Sequence, residues 1–382
     1  MKLSKRGDIS PFIVMEVMAA AAERESRGES ILHLEVGQPA TAAPRGVLEA
    51  ARRALSDNKI GYTLALGMPE LRQRIAGHYR EMYGVNVPEQ RIVVTIGSSA
   101  AFLLSFLALF DPGDRVAIAE PGYPAYRNIL KALNIHPVAV PCGPETDFQP
   151  TPELLEQASG GERIEGLLLA SPANPTGSMI APGAFAALAK YCTARGIRLI
   201  SDEIYHGITY SAPAQTALAF APDAIVINSF SKYFSMTGWR LGWMIVPDEM
   251  VRPVERLTQN LFISPPTLSQ CAAIAAFDCH DELRGNVAVY ARNRELLLRE
   301  LPNAGLRTFA PADGAFYLYA DISELSKDSD AFCREMLART GVAATPGIDF
   351  DTVRGMQYVR FSFAGATETM AEAARRLQDW LS

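Results

Sequence analysis

The chain has 382 residues, of which 48% are hydrophobic and 20% are charged, and its formal net charge is -6. This composition is ordinary for a globular protein with one large and one smaller domain, and the acidic balance argues against a nucleic-acid partner. Because the N-terminal segment has no apolar core of signal-peptide length, and no run of about 18 apolar residues occurs anywhere, we expect a cytoplasmic protein that does not bind membranes.

The cysteines give no sign of a metal site. They number 5, and none forms a Cys-x-x-Cys pair or a zinc-like cluster with histidines. Cys279 and His280 are adjacent but lack further partners. We therefore predict no bound metal, and we expect buried thiols at Cys142, Cys192, Cys271, Cys279 and Cys333.

The N-terminal segment begins with a helix signal. Ser10-Pro11 is a favourable start, with serine as N-cap and proline in the first turn, and Gly28 is a plausible stop. Residues 31–36 then predict a strand that ends at Gly37-Gln38-Pro39. A glycine there allows the backbone to approach a small molecule, although a plain turn explains the loop equally well.

Two further helices are predicted at residues 44–57 and 68–83, on either side of a loop with a glycine at each end. Tyr62 in this loop is either an exposed aromatic or a phenol with a function. Residues 91–96 then predict a strand, Gly97-Ser98-Ser99 a turn, and residues 100–110 a buried helix. A strand, a turn of small residues and a helix can form a phosphate cradle, because free N–H groups and the helix dipole face the turn.

Short apolar strands then alternate with helices, which predicts a mostly parallel sheet covered on both faces. In such a sheet, ligands collect beyond the C-terminal ends of the strands, where Asn174, Asp202 and Lys232 all fall. The predicted strands of this region are residues 116–119, 137–140, 167–170 and 198–203.

The strand at residues 224–227 leads into Ser229-Phe230-Ser231-Lys232, and Arg240 follows shortly after. Two hydroxyls and a guanidinium can hold a phosphate, while a partly desolvated lysine becomes a nucleophile toward an aldehyde. A solvated loop lysine is the plainer alternative. The Ser-x-x-Lys motif of penicillin-binding enzymes is excluded, because the nearest analogue of its Ser-Asp-Asn partner, Ser201-Asp202-Glu203, precedes the lysine and differs at its third residue.

Beyond Arg240 the pattern changes, which indicates a separate α+β domain. A strand at residues 241–246 is followed by largely helical residues 248–300, with a break at Ser264-Pro265-Pro266. Two more strands and two more helices complete the chain, with the strands at 315–320 and 358–363 and the helices at 328–340 and 367–381.

Nine short motifs occur in one order along nearly the whole chain: Gly37-x-Pro39, Tyr62, Gly97-Ser98-Ser99, Pro121-Gly122-Tyr123, Asn174-Pro175-x-Gly177, Asp202-x-x-Tyr205, Ser229-x-Ser231-Lys232, Arg240 and Arg360. This set resembles the class I/II aminotransferases, which are pyridoxal-phosphate enzymes of the aspartate aminotransferase fold, or fold type I. The resemblance implies a large α/β domain with a mostly parallel seven-stranded sheet, and a smaller α+β domain formed by both termini. The expected division is an N-terminal arm and part of the small domain at residues 1–43, the large cofactor domain at 44–283, and the small C-terminal domain at 284–382.

The resemblance implies a catalytic role for three residues. Lys232 would be the Schiff-base lysine and would carry the proton at the substrate α-carbon. Asp202 would keep the pyridine nitrogen of the cofactor protonated, although without the family a strand-end acid that caps a helix would be the preferred interpretation. Tyr205, together with Asn174, would hydrogen-bond the phenolic oxygen of the cofactor, and Tyr123 would stack on its ring.

The resemblance also implies the residues that bind phosphate and substrate. Arg360 would clamp the substrate α-carboxylate with help from Gly37 and Asn174, although a strand arginine is otherwise more often an internal salt-bridge partner. Tyr62 would reach the phosphate from the other subunit of a homodimer. The remaining phosphate ligands would be Gly97, Ser98, Ser99, Ser229, Ser231 and Arg240.

The implied reaction is ping-pong transamination between an L-amino acid and a 2-oxo acid. Members of this family that favour aspartate commonly place an extra cation against its distal carboxylate, yet no Lys or Arg occurs at residues 98–110 or 257–283. The resemblance therefore implies neutral or aromatic amino donors, with a cation from the N-terminal arm as the alternative that would admit aspartate. A carbon-sulfur β-lyase is the alternative on the same fold. A regulatory domain that binds the cofactor is a more distant one, because such regulators carry an added DNA-binding segment, for which we expect no room here.

Overall fold

The computed structural model describes residues 1–58 and 60–382 and has an α/β architecture. Its helices are α1 Ile13–Ser26, α2 Arg45–Ser56, α3 Pro69–Tyr83, α4 Gly97–Leu109, α5 Pro124–Ala132, α6 Pro152–Ser159, α7 Pro182–Arg195, α8 Asp248–Leu261, α9 Thr267–Ile274, α10 His280–Glu300, α11 Ser329–Thr340 and α12 Thr367–Leu381. Its strands are β1 Leu32–His33, β2 Ile92–Thr95, β3 Arg115–Glu120, β4 His136–Pro141, β5 Gly166–Ala170, β6 Arg198–Asp202, β7 Ile225–Ser229, β8 Gly242–Ile245, β9 Thr308–Phe309, β10 Tyr317–Asp321, β11 Val342–Ala343, β12 Thr345–Pro346 and β13 Tyr358–Ser362.

The central sheet has seven strands in the order β2-β8-β7-β6-β5-β3-β4. Strand β8 runs antiparallel to both of its neighbours, and the other pairs are parallel. The prediction of a mostly parallel seven-stranded sheet is therefore confirmed. Its parallel strands place the chain segments after β5, β6 and β7 at one edge of the sheet.

The apolar runs of the central strands are explained by burial on both faces. Leu167 and Leu169 belong to the hydrophobic core on one side of the sheet, while Leu168 belongs to the core on the other side. Val226 and Ile227 divide in the same way. Because consecutive side chains of a strand point to opposite faces, a strand with helices on both sides has no solvent face and needs no alternation with polar residues.

The chain beyond β8 forms a smaller antiparallel sheet in the order β12-β13-β10-β9. Strand β1 near the N-terminus pairs in parallel with β11, so a segment before residue 44 packs on a segment after residue 284. Helix α10 begins at His280 and runs across the predicted domain boundary at residue 283. The division into 1–43, 44–283 and 284–382 stays a prediction.

The predicted start of the first helix is wrong. Helix α1 begins at Ile13 with Phe12 as its N-cap, not at Ser10-Pro11, and no side chain of the Ser10–Phe12 segment caps it. Its first N–H groups are instead bound by the carboxylate of Asp349, which lies far along the chain. The predicted strand at residues 31–36 is likewise reduced to Leu32–His33, because only these residues pair with β11.

Cys142, Cys192 and Cys333 are buried, as predicted, whereas Cys271 and Cys279 are half-buried; all five are free thiols.

Within the described part of the chain, no helix is both long enough and apolar enough to cross a lipid bilayer.

Candidate active site

A cavity of about 160 Å³ opens beyond the C-terminal ends of β5, β6 and β7. Most of the predicted site residues line it, although they come from distant parts of the sequence. Those that do are Gly37, Ser98, Ser99, Tyr123, Asn174, Asp202, Tyr205, Ser231, Lys232, Arg240 and Arg360.

The amine of Lys232 lies in this cavity. It donates a hydrogen bond of 2.5 Å to the backbone carbonyl of Gly37 and lies 5.8 Å from the centroid of the Tyr205 ring. Burial lowers the pKa of Lys232 from 10.5 to about 8, and the positive charges of Arg360 and Arg240 act in the same direction. Near neutral pH, a larger share of this amine is therefore neutral and nucleophilic than for an exposed lysine.

The carboxylate of Asp202 ends strand β6 and is buried. One oxygen accepts a hydrogen bond from the hydroxyl of Tyr126, and the other accepts one of 3.1 Å from the backbone N–H of Ile204. Burial raises the pKa of Asp202 to about 6, while the two hydrogen bonds and the charge of Lys232 oppose the shift. The group is therefore mostly ionised at neutral pH and can hold a cationic N–H donor.

The N-terminus of α4 forms the anion-binding side of the cavity. No side chain of the described residues caps this helix, so its first N–H groups, next to Ser98 and Ser99, are available to a ligand. Arg240 lies directly over the helix start, since a Cβ atom built on Gly97 would meet its Nη2 atom at 2.8 Å. Gly97 also has a φ of +69°, a conformation that glycine adopts without strain.

Two serines complete the anion-binding side. The hydroxyl of Ser229 donates to that of Ser231 at 2.9 Å, and its oxygen accepts the N–H of Ser231 at 3.1 Å. Ser231 lines the cavity, and Ser229 is a buried neighbour bonded to it. Hydroxyls, free N–H groups, a guanidinium and a helix dipole converge here, as phosphate recognition requires.

Arg360 is a buried cation on strand β13 whose hydrogen-bond partners are neutral. Its Nη1 donates to the side-chain oxygen of Asn174 at 2.8 Å, and its Nη2 donates to Thr345 Oγ1 at 3.2 Å and to the carbonyl of Glu35. Among the described residues no carboxylate forms an ion pair with it, and its Nε has no partner. The alternative of an internal salt bridge is therefore not supported, and the guanidinium is free to pair with a ligand carboxylate.

Aromatic rings fix the orientation of this guanidinium. Its central carbon lies 4.4 Å from the centroid of Tyr317 and 4.7 Å from that of Phe350. The hydroxyl of Tyr317 also contacts that of Tyr205 at 2.7 Å. Gly37 packs against the same hydroxyl so closely that a Cβ atom would lie 1.6 Å from it, and only glycine fits there.

Tyr123 stands at the N-terminus of α5, half-buried at the cavity wall. Its ring meets Phe12 edge to face at 5.6 Å and Tyr126 at 5.3 Å between centroids. Tyr62 is different from all other predicted site residues, since its side chain is 85% exposed and does not line the cavity. A single copy of the chain does not bring Tyr62 to the site.

Sequence reasoning missed several residues of the cavity. Tyr126 follows Tyr123 by three positions, so the shared helix face was a usable signal. Tyr317 gave no local signal, because its role depends on β10 packing against the segment after β6. The remaining unpredicted lining includes an apolar group that comprises Phe12, Val14, Met15 and Val36.

Comparison with known proteins agrees with this geometry. Residues 29–377 match the family described as aminotransferase class I and II. A valine–pyruvate aminotransferase of Mycobacterium tuberculosis is 51% identical over 384 residues, which cover 100% of this chain and 98% of the relative. An aspartate/prephenate aminotransferase of Thermus thermophilus is 33% identical over 373 residues, with coverages of 96% and 95%.

A crystal structure of an aminotransferase from Mycobacterium tuberculosis has a TM-score of 0.97 to this structure at 51% identity, and the match covers 100% of this chain and 99% of that one. The chain therefore belongs to the class I and II aminotransferase family, and it is an enzyme that moves an amino group between an L-amino acid and a 2-oxo acid.

Proposed function

We propose that the chain is a pyridoxal-phosphate-dependent aminotransferase that works by a ping-pong mechanism on neutral, apolar amino donors. The observation that carries this proposal is the convergence of Lys232, Asp202 and Arg360 on one cavity beside an uncapped helix N-terminus. When bound, pyridoxal phosphate supplies an aldehyde for an amine and a ring that withdraws electrons from the substrate α-carbon. The residues present fit this group, because an amine of lowered pKa, a buried carboxylate and an anion cradle surround the same space.

The proposed roles are those that the family resemblance implies, and the chemistry of the side chains supports them. Lys232 provides the nucleophilic amine and moves the proton at the substrate α-carbon, which its lowered pKa supports. Asp202, held by Tyr126, keeps a ring nitrogen protonated. Tyr205 and Asn174 bind the phenolic oxygen of the cofactor, and Tyr123 covers its ring.

The anion cradle holds the phosphate, and Arg360 holds the substrate. In this assignment the phosphate ligands are Gly97, Ser98, Ser99, Ser229, Ser231 and Arg240. Arg360 binds the substrate α-carboxylate through its guanidinium, with Asn174 and the backbone of Gly37 beside it. Because the aromatic rings of Tyr317 and Phe350 fix the guanidinium in advance, little conformational freedom is lost when the carboxylate binds.

The donor class follows from the charges around the cavity. Its cationic lining residues among those described are Lys232, Arg240 and Arg360, and each already has a role above. The wall formed by Phe12, Val14, Met15 and Val36 is apolar instead. An aliphatic side chain is favoured there by burial, at about 25 cal/mol per Å² of apolar surface, whereas a second carboxylate would find no unassigned cation among the described residues that line the cavity.

We therefore propose valine as an amino donor and pyruvate as an acceptor, which agrees with the name of the relative at 51% identity. Aromatic donors are the second candidates. The β-lyase alternative is not favoured, because the relatives compared above are named aminotransferases.

We further propose a cytoplasmic homodimer in which Tyr62 reaches the phosphate of the other subunit. The exposed position of Tyr62 supports the shared site, and the five free cysteines support a reducing compartment. In the proposed division, residues 44–283 form the cofactor domain, and residues 1–43 and 284–382 close over it.

The test combines a donor panel with chemical trapping. The holoenzyme is mixed with pyruvate and valine, leucine, phenylalanine, aspartate or glutamate, and we expect kcat/KM for valine to exceed that for aspartate by about tenfold or more, or roughly 1.4 kcal/mol. Borohydride reduction and peptide mapping should place the cofactor label on Lys232. Lys232→Ala should lose the label and nearly all turnover, whereas Lys190→Ala, at an exposed position on α7, should keep both.

Three results would each contradict part of the proposal. A label on another lysine, or none, would remove the assigned nucleophile. Faster turnover of aspartate than of valine would refute the donor class. Release of pyruvate and ammonia from cystathionine without an acceptor would restore the lyase alternative.

A further inference from the structure

Helix α1 is anchored at its start by a residue from the other end of the chain. The backbone N–H groups of Ile13 and Val14 donate to the two carboxylate oxygens of Asp349, each at 3.3 Å. The N-cap position is Phe12, whose side chain accepts no hydrogen bond. Asp349 itself is only 2% exposed, so this is an interior contact and not a chance meeting at the surface.

Three of the four residues of the apolar wall lie at or beside this start. Phe12, Val14 and Met15 all line the cavity. Of the 14 residues of α1, the buried ones are Val14 and Ala21. A helix with so few buried side chains is weakly held by packing alone. The position of the wall therefore depends on the Asp349 contact more than on the rest of α1.

The residue that follows Asp349 contacts Arg360, the residue proposed to bind the substrate carboxylate. The next residue, Phe350, places its ring 4.7 Å from the central carbon of the Arg360 guanidinium. The carbonyl of Asp349 accepts a hydrogen bond of 3.2 Å from Arg127, which also pairs with Glu120 at 3.2 Å. One short segment thus touches both the group proposed to hold the substrate carboxylate and the wall proposed to meet its side chain.

We propose that Asp349 is a positioning residue for substrate selection, because it fixes Phe12, Val14 and Met15 at a set distance from Arg360. This inference rests on the proposed apolar donor class. Arg360 sets where the α-carbon of the substrate lies, and the wall then meets the side chain that extends from it. A displaced wall loses contact with valine or leucine but hardly affects alanine, whose single methyl group offers little to contact.

The test measures selectivity in the full-length holoenzyme. In Asp349→Ala we expect KM for valine and leucine to rise about five- to tenfold, as for the loss of a helix cap, while kcat and the KM for alanine change less than about twofold. Asp349→Asn keeps the shape and one acceptor oxygen and should give an intermediate shift. It also serves as the informative variant if Asp349→Ala does not fold.

A matched control exists on helix α11. Asp328 caps it by accepting the N–H groups of Asp330 and Ala331, each at 3.1 Å, and lies outside the cavity. Asp328→Ala should leave the valine-to-alanine ratio of kcat/KM unchanged. If Asp349→Ala has the same valine-to-alanine ratio of kcat/KM as wild type, whether both values are unchanged or both fall equally, the positioning role is overturned.

The outcomes separate this inference from the proposed function. If wild type prefers aspartate to valine, the donor class fails and this inference falls with it. If wild type prefers valine but the selectivity of the Asp349 variants is unchanged, the donor class stands and only the inference fails.

Discussion

The hydrogen bond between Tyr126 and Asp202 joins two buried side chains that line the cavity. Burial raises the pKa of Tyr126 well above its ordinary value, so the phenol stays protonated and is the donor. The same burial raises the pKa of Asp202 to about 6, and the bond from Tyr126 works against that rise. Tyr126 therefore helps to keep Asp202 ionised at neutral pH.

Replacing Tyr126 by Phe removes the donor and leaves the burial of Asp202 unchanged. The pKa of Asp202 should then rise further, by about one pKa unit for a lost charge-assisted bond, so the ionised form is lost at a higher pH. We expect the acidic limb of the kcat/KM profile of the holoenzyme to move upward in pH by a similar amount. The measurement is a pH–rate profile between about pH 5 and 9.

Tyr191→Phe is the control for this prediction. It also removes a phenol that donates to a carboxylate, Glu156, but the pair lies at the exposed surface outside the cavity. An acidic limb at the same pH in Tyr126→Phe and Tyr191→Phe would show that Tyr126 does not tune Asp202.

The residues that sequence alone identified carry chemistry within short motifs. Lys232 lies three positions after Ser229, which ends strand β7, and Asp202 ends an apolar run, so local patterns point to both. Tyr317 was not, because its hydroxyl meets Tyr205 across 112 positions of sequence. A contact of that kind depends on how β10 packs, which no local pattern encodes.

Helix α4 illustrates how one element is built for a ligand rather than for its own stability. Its first residue, Gly97, has a left-handed backbone, and no side chain of the described residues caps its N-terminus. Both features cost stability in an isolated helix. They leave the N–H groups free and allow Arg240 to lie against the helix start.

The substitution Gly97→Ala should therefore weaken the proposed cofactor site. A left-handed alanine costs about 1–2 kcal/mol, and its Cβ atom would push against the guanidinium of Arg240. We expect the Kd of pyridoxal phosphate to rise about tenfold or more in a fluorescence titration, with an unchanged far-UV circular dichroism spectrum. The loss of affinity should also appear with inorganic phosphate as a competitor.

Gly183→Ala provides the matched comparison. Gly183 also lies in the first turn of a helix, α7, but a Cβ atom there would meet nothing within 4 Å. Equal cofactor affinity in the two variants would contradict the assigned role of the α4 N-terminus.

Elements were predictable from sequence where their pattern is long and local. The strands of the central sheet carry apolar runs because both faces are buried, and these were found. Strands β1 and β11 have two residues each, too few for any period, and exist because they pair with one another. The start of α1 was misplaced for a similar reason, since its capping carboxylate, Asp349, is distant in sequence.

At the scale of the whole molecule, the cavity is assembled from both ends of the chain. Gly37 precedes the central sheet, Arg360 lies close to the C-terminus, and both meet Lys232 from the middle. The packing of β1 on β11 brings the two ends together. The cavity therefore forms only in the complete fold. The order of the site residues along the sequence predicts the cavity only because that order resembles a known family.

Tyr62 carries the last prediction, which concerns two copies of the chain. Its side chain is 85% exposed, between two glycines, and lies outside the cavity of its own chain. If it binds the phosphate of a second subunit, Tyr62→Ala homodimers should lose about tenfold or more in cofactor affinity, as for one charge-assisted hydrogen bond. Lys232→Ala homodimers should be inactive.

Hybrid dimers separate a shared site from a site within one chain. In a dimer of one Tyr62→Ala and one Lys232→Ala subunit, purified through two different tags, a shared arrangement leaves one site with both Lys232 and the phenol intact. We therefore expect about half of the wild-type activity per dimer at a cofactor concentration that leaves Tyr62→Ala homodimers nearly inactive. If Tyr62 acted within its own chain, no site of the hybrid would be complete, and the hybrid would be as inactive as its two parents.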